Sequence, residues 1–447
     1  IMICEIALNR YFLGVTVFLI LLAVPVQARE LSFAQALDLA DRNATELKTL
    51  VAEQALAEAG HLRAAQAFLP KISADSTWAR ADSTMINDVK LPALEIPPRV
   101  VSRDFGPAEG SFFALQLVQP LIHVVGWKTR KEAQFAVEAR RLAHAWGVEL
   151  MRLEVTRRYF AVVVHGHALE AARLAMEAAE EALRLARASY DEGLVARVDV
   201  LRAQAEFQAN RARRMDAQAG LRKARIHLAT LLGLPPEQEM ILTSALPVPS
   251  VPPAREHTPA QRDDVRAMQA RLDAAEAGLD TAKARWLPRL SFLARQQWLE
   301  VSRPVNTDSQ GWLVALTLQW TLFDGMDRQG EIAQARARKN LSRIALEENR
   351  REVSQEQRTA MSDWRAVWSA WQAADQGLES AVLATTLARR QYEEGLGSMT
   401  DLLTTQAMLY QRRLEYVRYQ YRAFLASMNY YLSHGFDPLA AVPEGLQ

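Results

Sequence analysis

The chain has 447 residues, and its 53 lysine and arginine side chains nearly balance 52 aspartate and glutamate side chains. A near-neutral chain lacks the basic face that a nucleic-acid-binding protein needs. The single cysteine, Cys4, precedes a long apolar run, so the remainder offers no internal disulfide, thiol nucleophile or cysteine-ligated metal site.

The first predicted element is a secretory signal peptide over residues 1–28. The apolar run YFLGVTVFLILLAV follows Arg10, and small residues stand at Val26 and Ala28. This order is typical of a signal peptide that is cleaved after Ala28. The alternative is an uncleaved anchor, but the run is short for a transmembrane helix of about 20 residues. We therefore expect a mature chain that is periplasmic, extracellular or an outer-membrane β-barrel.

A first structural repeat is predicted over residues 29–232. It consists of a helix, a β-hairpin at about 70–122, a long helix over 127–190 and a return helix over 198–232. An aromatic-Leu-Pro triplet ends the first helix, because proline disfavours helix at the residue before it. The long helix contains no proline and corresponds to a rod of about 95 Å.

A proline-rich connector over 233–262, which we expect to be irregular, leads to a second repeat over 263–447. This repeat has the same order of elements, with a hairpin at about 288–323, a long helix over 327–392, a return helix over 400–432 and a C-terminal tail. The turn between the long helix and the return helix occurs in both repeats, as RASYDEGLVARVDVLRAQAEF and RRQYEEGLGSMTDLLTTQAML. Matched residues are 202 positions apart, which indicates a tandem duplication.

Each long helix has two adjacent stripes of small and apolar residues at alternating spacings of three and four, the spacing of a coiled-coil seam. In the first long helix the two seams are 169–190 and 168–185, and in the second they are 371–392 and 370–387. Two seams predict two neighbouring helices, and this arrangement repeated around a circle makes a tube. The alternative is an ordinary bundle with wide apolar faces, but the helix lengths and the small seam residues favour a tube.

The hairpin segments alternate between apolar and polar residues. One apolar stripe ends in tryptophan at both ends, which is typical of the aromatic girdles of outer-membrane barrels. The alternative is a soluble hairpin with one buried face. Four strands cannot close a bacterial barrel, which needs about eight or more, so several chains must share it. The residues expected to face lipid are Phe113, Leu115, Leu117, Trp312, Val314, Leu316, Leu318 and Trp320.

Several motifs together resemble the TolC-like outer-membrane efflux proteins over essentially the whole mature chain. They are LSFAQALDLADRNATEL, LVQPLI, WTLFDG, HLATLLGL and the two Y-[DE]-E-G-L turns. The resemblance implies a mixed, mainly α fold: a homotrimer with a twelve-stranded transmembrane β-barrel and a long, coiled-coil-like α-helical barrel in the periplasm. It also implies an exit duct for substrates that an inner-membrane efflux pump or ABC exporter delivers through a periplasmic adaptor.

The resemblance assigns roles to the two turns. Asp199 and Asp401 match positions where the periplasmic mouth narrows, although each could instead cap a helix. Gly397 and Thr404 depart from members that latch the mouth with an arginine and a second acidic residue, so the latch is expected to be absent or rebuilt around Arg197. The tip residues that match the adaptor-contacting ones are Gly193, Leu194, Val195, Ala196, Gly395, Leu396, Gly397 and Ser398.

No catalytic, cofactor or metal site is expected. His165 and His167 stand two apart on a helix and do not share a face. The FDGMD segment lacks the length and the terminal glutamate of a calcium loop, and fits a strand-to-helix turn. There is no glycine-rich phosphate loop. We therefore expect an outer-membrane channel rather than an enzyme. The alternative is a periplasmic coiled-coil adaptor or scaffold without a pore, which the strand pairs and the duplication disfavour.

Overall fold

A computed structural model describes residues 29–81, 108–251, 261–303 and 307–443. The predicted signal peptide lies outside the described residues, as do most of the first hairpin's tip and part of the connector. The chain forms two compact units, which are Ile1–Val51 with His144–Asp263 and Arg350–Gln447, and Ala52–Ala143 with Asp264–Asn349. None of the described helices has an apolar stretch that could cross a membrane.

The helices are few and mostly long, as expected for segments that have little proline and small residues at helical spacing. The two longest have 68 and 67 residues. The helices are α1 (Phe33–Asn43), α2 (Thr45–Ala64), α3 (Val124–Asp191), α4 (Arg197–Leu231), α5 (Asp263–Ala284), α6 (Asp327–Glu393) and α7 (Met399–Ser433).

Within the described residues, six strands form two sheets. The strands are β1 (Arg29–Leu31), β2 (Lys71–Ala81), β3 (Ala108–Ile122), β4 (Met240–Leu242), β5 (Arg289–Arg303) and β6 (Thr307–Gln319). The larger sheet is antiparallel in the order β2-β3-β5-β6, so β2 and β6 are its edge strands.

The sequence predicts an irregular connector over 233–262, and this prediction is wrong in one part. The connector contains β4, which pairs in parallel with β1. Tyr159 fixes this pairing, because its buried hydroxyl donates to the Leu31 carbonyl at 2.8 Å and accepts from the Ser244 N–H at 3.2 Å. Phe33 packs edge-on against the Tyr159 ring at 5.5 Å. The apolar residues Met-Ile-Leu of β4 thus form a strand because they pack in the core. The high proline content of the connector does not indicate this packing.

The seams of the long helices differ in how far the single chain covers them. In α3 both seams are covered, since Ala172 and Ala179 of one seam and Ala171 and Ala182 of the other are buried. In α6 only one seam is covered. Its buried residues are Ala374, Ala381 and Ala388. The second seam of α6 is largely open, and its exposed residues are Ala373, Ser380 and Leu387.

Candidate functional site

The long helices α3 and α6 end in the same hydrogen-bonded turn. In the first turn, Gly193 has a φ of 76° and the Leu194 N–H donates to the Ser189 carbonyl at 2.8 Å. In the second, Gly395 has a φ of 75° and the Leu396 N–H makes the equivalent bond at 2.8 Å. A left-handed residue here satisfies the last carbonyls of a helix, and glycine adopts it without strain. The shared sequence motif therefore encodes a shared helix cap.

The caps expose a leucine at each tip, with Leu194 and Leu396 at 71% and 79% exposure. Val195 is half-buried, whereas Ala196 and Ser398 are exposed and are the N-caps of α4 and α7. The two turns thus present similar short, partly apolar loops. All eight tip residues predicted from the sequence lie in these loops.

Gly397 lies tight against the end of α6. Its N–H donates to the Gln391 carbonyl at 3.0 Å. A Cβ at position 397 would lie 3.1 Å from the Gln391 Cβ and 3.2 Å from the Tyr392 nitrogen. A side chain here would need these neighbours to move by a few tenths of an ångström, so the close packing favours glycine.

Asp199 and Asp401 occupy equivalent positions in the first turns of α4 and α7, but their surroundings differ. The Ser398 hydroxyl accepts from the Asp401 N–H at 3.1 Å and donates to the Asp401 carboxylate at 2.6 Å. Ala196, the N-cap of α4, has no hydroxyl to make such bonds. Asp401 therefore takes part in a helix cap, whereas the Asp199 carboxylate does not bond to its own N-cap side chain.

Arg202 links the two return helices, a contact that sequence reasoning missed. Its Nη1 donates to the Thr400 hydroxyl at 3.2 Å and lies 3.5 Å from the Asp199 carboxylate. The Arg197 side chain, by contrast, forms no hydrogen bond or ion pair with any residue that the structure describes. The spacing of Asp199 and Arg202, three apart on one helix face, is the signal that could have indicated this pair.

Next to the tips, small and apolar residues pack between the helices. Ala182 and Ala186 of α3 pack with Ala203 of α4 and with Met399 and Leu402 of α7 in one buried cluster. Alanine lets the helices approach closely, as the seam pattern predicts. The helices that carry the tips are therefore closely packed, although the tip side chains themselves are largely exposed.

The strand register places the predicted lipid-facing residues of the strands on one face of the larger sheet, which we call the apolar face. Leu117 pairs with Ala294, which pairs with Val314, and Phe113 pairs with Trp298 at a ring distance of 5.3 Å. This face is open in the single chain; Trp312 is 78% exposed. Trp320 follows the end of β6, and its indole donates to the Trp286 carbonyl at 3.0 Å.

The FDGMD segment lies between β6 and α6, where the sequence predicts a strand-to-helix turn. Asp324 accepts from the Arg328 Nε at 2.6 Å, and the Arg328 guanidinium lies 4.0 Å from the centre of the Trp286 ring. Arg328 is almost fully buried. The turn thus serves packing, and in the described ranges no group of three or more histidine, cysteine or acidic residues could hold a metal ion.

Comparison with known proteins decides the family. Residues 36–234 and 256–432 match the model of the family described as outer membrane efflux protein. The chain belongs to the outer membrane efflux protein family. The resemblance to TolC-like proteins is thereby confirmed, and the location of the chain is the outer membrane.

Two curated relatives resemble this chain over part of their length. Protein CyaE of Bordetella pertussis is 30% identical over 292 residues, which cover 62% of this chain and 60% of CyaE. The pyoverdine export outer membrane protein OpmQ of Pseudomonas putida is 26% identical over 284 residues, which cover 60% of this chain and 58% of OpmQ. The matched region thus spans about three fifths of the length of each relative.

Two solved structures share the fold. The outer membrane protein VceC of Vibrio cholerae superposes with a TM-score of 0.74 at 16% identity, covering 90% of this chain and 96% of VceC. The CmeC outer membrane channel of Campylobacter jejuni gives 0.78 at 15% identity, covering 91% of this chain and 86% of CmeC. The mixed, mainly α fold expected from the sequence is confirmed, and it is the fold of outer membrane channels.

Proposed function

We propose that this efflux-family protein is the outer-membrane exit duct of a tripartite efflux or type I secretion system. It passes substrates from an inner-membrane efflux pump or ABC exporter, through a periplasmic adaptor, to the exterior. The observation that carries this proposal is the four-stranded sheet, which has one open apolar face and two edge strands that pair with no further strand among the described residues. Such a sheet suits a barrel that faces lipid and is completed by other chains.

We infer a homotrimer. Three chains supply twelve strands, which is within the range of bacterial outer-membrane barrels. The open second seam of α6, with Ala373, Ser380 and Leu387, gives the helical part a surface of the kind that a neighbouring copy would cover. In such a trimer the edge strands β2 and β6 of adjacent chains pair and leave no free edge.

The tips are proposed as the adaptor-contacting surface and the constriction. Leu194 and Leu396 are exposed apolar side chains in otherwise charged surroundings, and exposed apolar patches mark interfaces. Asp199 and Asp401 stand just beyond the tips, so threefold symmetry brings six carboxylates to one end of the duct. A periplasmic adaptor or scaffold without a pore remains the alternative, but it gives no reason for the open apolar face of the sheet.

Cell fractionation distinguishes these functions. We expect the protein in outer membranes as a trimer that dissociates only on heating. A soluble monomer in the periplasm would contradict the duct and support the adaptor. A variant with Leu316→Arg on the apolar face of the sheet serves as the control, because it is expected to lose the membrane-bound trimer.

A further inference from the structure

The two faces of the larger sheet differ in charge. Among the side chains that the structure describes, the face opposite the apolar face, which we call the polar face, has three cations and one carboxylate, namely Lys71, Arg289, Arg295 and Asp75. On the apolar face the described charged side chains lie towards the hairpin tips and are mostly acidic, namely Arg80, Glu109, Glu300 and Asp308. The excess of positive charge is therefore confined to the polar face.

Arg295 stacks on an aromatic ring. Its guanidinium carbon lies 5.3 Å from the centre of the Phe112 ring, on the same face. Stacking on an aromatic ring restricts an arginine side chain without neutralising it. Ala114, which lies next to Phe112 on this face, is fully buried, so the surface around the stack is closely packed.

No carboxylate neutralises Arg295. Its Nε is buried without a hydrogen-bond partner, and none of the described acidic residues forms an ion pair with it. Arg289 donates to the Gln319 side chain at 2.7 Å, which is a neutral partner. Lys71 is exposed. The charges on the polar face are thus available to solutes that pass along it.

Resting on the proposed function, we propose that Arg295, with Lys71 and Arg289, forms an anion-selective zone on the inner wall of the duct, and that the exported substrates bear carboxylate or phosphate groups. The inner wall of an outer-membrane barrel is its polar face. Rings of arginine and lysine select anions in pores, and threefold symmetry multiplies each cation. The planar guanidinium suits both kinds of oxyanion.

This zone and the acidic tips are two separate filters made of different residues. Asp199 and Asp401 act on cations at the end of the helices, whereas Arg295 acts on anions along the sheet. Each filter is therefore tested by its own substitution. The difference between variant and wild type, rather than the selectivity of the wild type alone, is the informative quantity.

The test is the chloride-to-potassium permeability ratio of purified protein in planar bilayers under a KCl gradient. We expect Arg295→Gln to lower this ratio severalfold and to abolish block by tripolyphosphate and by citrate, the phosphate and carboxylate probes. Loss of block by only one probe assigns the substrates to that oxyanion. Phe112→Leu, which keeps the charge but removes the stack, is expected to weaken block to an intermediate degree. The matched control is Arg80→Gln, which removes the same charge from the apolar face and leaves the ratio unchanged.

An unchanged ratio and unchanged block in conducting Arg295→Gln channels would overturn the proposal while leaving the duct intact. Absence of any wild-type conductance would instead remove the duct, and this inference with it. If Arg295→Gln fails to assemble, substitutions at the exposed residues Lys71 and Asp75 test the proposal instead. Lys71→Gln must then lower the ratio and Asp75→Asn must raise it, and no change in either contradicts the anion-selective zone.

Discussion

Leu316 and Thr317 are neighbours in β6 but lie on opposite faces of the sheet. We expect Leu316→Arg to prevent assembly in the membrane, because a charge on the lipid face costs about 2–4 kcal/mol at the middle of the bilayer. Thr317→Arg is expected to be tolerated, since its face is polar. The yield of heat-modifiable trimer measures both. Equal tolerance of the two changes would show that the faces are assigned the wrong way round.

Glu149 makes stability depend on pH. Burial raises the pKa of this carboxyl above its ordinary value of 4.5, Arg152 opposes the rise, and Asp437 adds to it. Between pH 4.5 and the raised pKa, the Glu149 carboxyl is therefore protonated in the folded protein but ionised in the unfolded chain. The resulting stabilisation is full below pH 4.5 and is lost as pH rises through the raised pKa.

We expect Glu149→Gln to flatten this pH dependence, because the amide does not titrate. Denaturant midpoints of wild type and variant, measured at a series of pH values from acidic to neutral, provide the comparison. Parallel curves for the two proteins would mean that Glu149 has the same pKa in the folded and unfolded states.

The contacts of Arg202 and Arg328 could not be predicted in full from the sequence. Arg202 and Arg328 each lie in a charged, helix-like stretch, where most arginines are solvated. Besides a carboxylate in its own segment, each contacts a residue of another segment: Thr400 for Arg202, and Trp286 for Arg328. Such contacts depend on the packing of helices and turns, which periodicity does not specify.

At the scale of elements, the tip loops are the surfaces for adaptor docking. We expect Leu194→Asp combined with Leu396→Asp to leave the trimer intact but to abolish efflux, because charged tips cannot enter an apolar contact. Methionine at both positions keeps an apolar surface and serves as the control. Measured by cross-linking in cells, unchanged capture of the adaptor by the aspartate variant would place the docking site elsewhere.

The long helices could be predicted from the sequence because proline is absent from them and small residues recur at helical spacing. The predicted range 127–190 became α3, which begins at Val124 and ends at Asp191. The short strands β1 and β4 could not be predicted in this way. Each has three residues, too few to display alternation, and their pairing depends on the distant Tyr159.

The candidate site, too, could be predicted only in part from the sequence. The duplicated motif predicts both tips and their glycines, because a left-handed cap restricts the residue type. It does not distinguish Asp199 from Asp401. That difference arises from Ser398 and Ala196 at the two N-caps, where only the serine hydroxyl can bond to the aspartate.

For the whole molecule, the ring of Asp199 and Asp401 is predicted to control cations at the narrow end of the duct. We expect wild-type channels to be blocked by trivalent cations from the tip side. Asp199→Asn combined with Asp401→Asn removes the charge but keeps a side-chain oxygen for capping. It is expected to abolish the block without loss of trimer. If the block persists in this variant, the two carboxylates do not line the pore.

The central claim is that copies of this chain enclose an open conduit across the outer membrane. The most direct measurement is single-channel recording of the purified wild-type trimer in planar lipid bilayers. The account predicts discrete, uniform current steps, which disappear when Leu316→Arg prevents assembly of the barrel. A protein that is trimeric and membrane-bound, yet gives no unitary currents from either side, would contradict the duct.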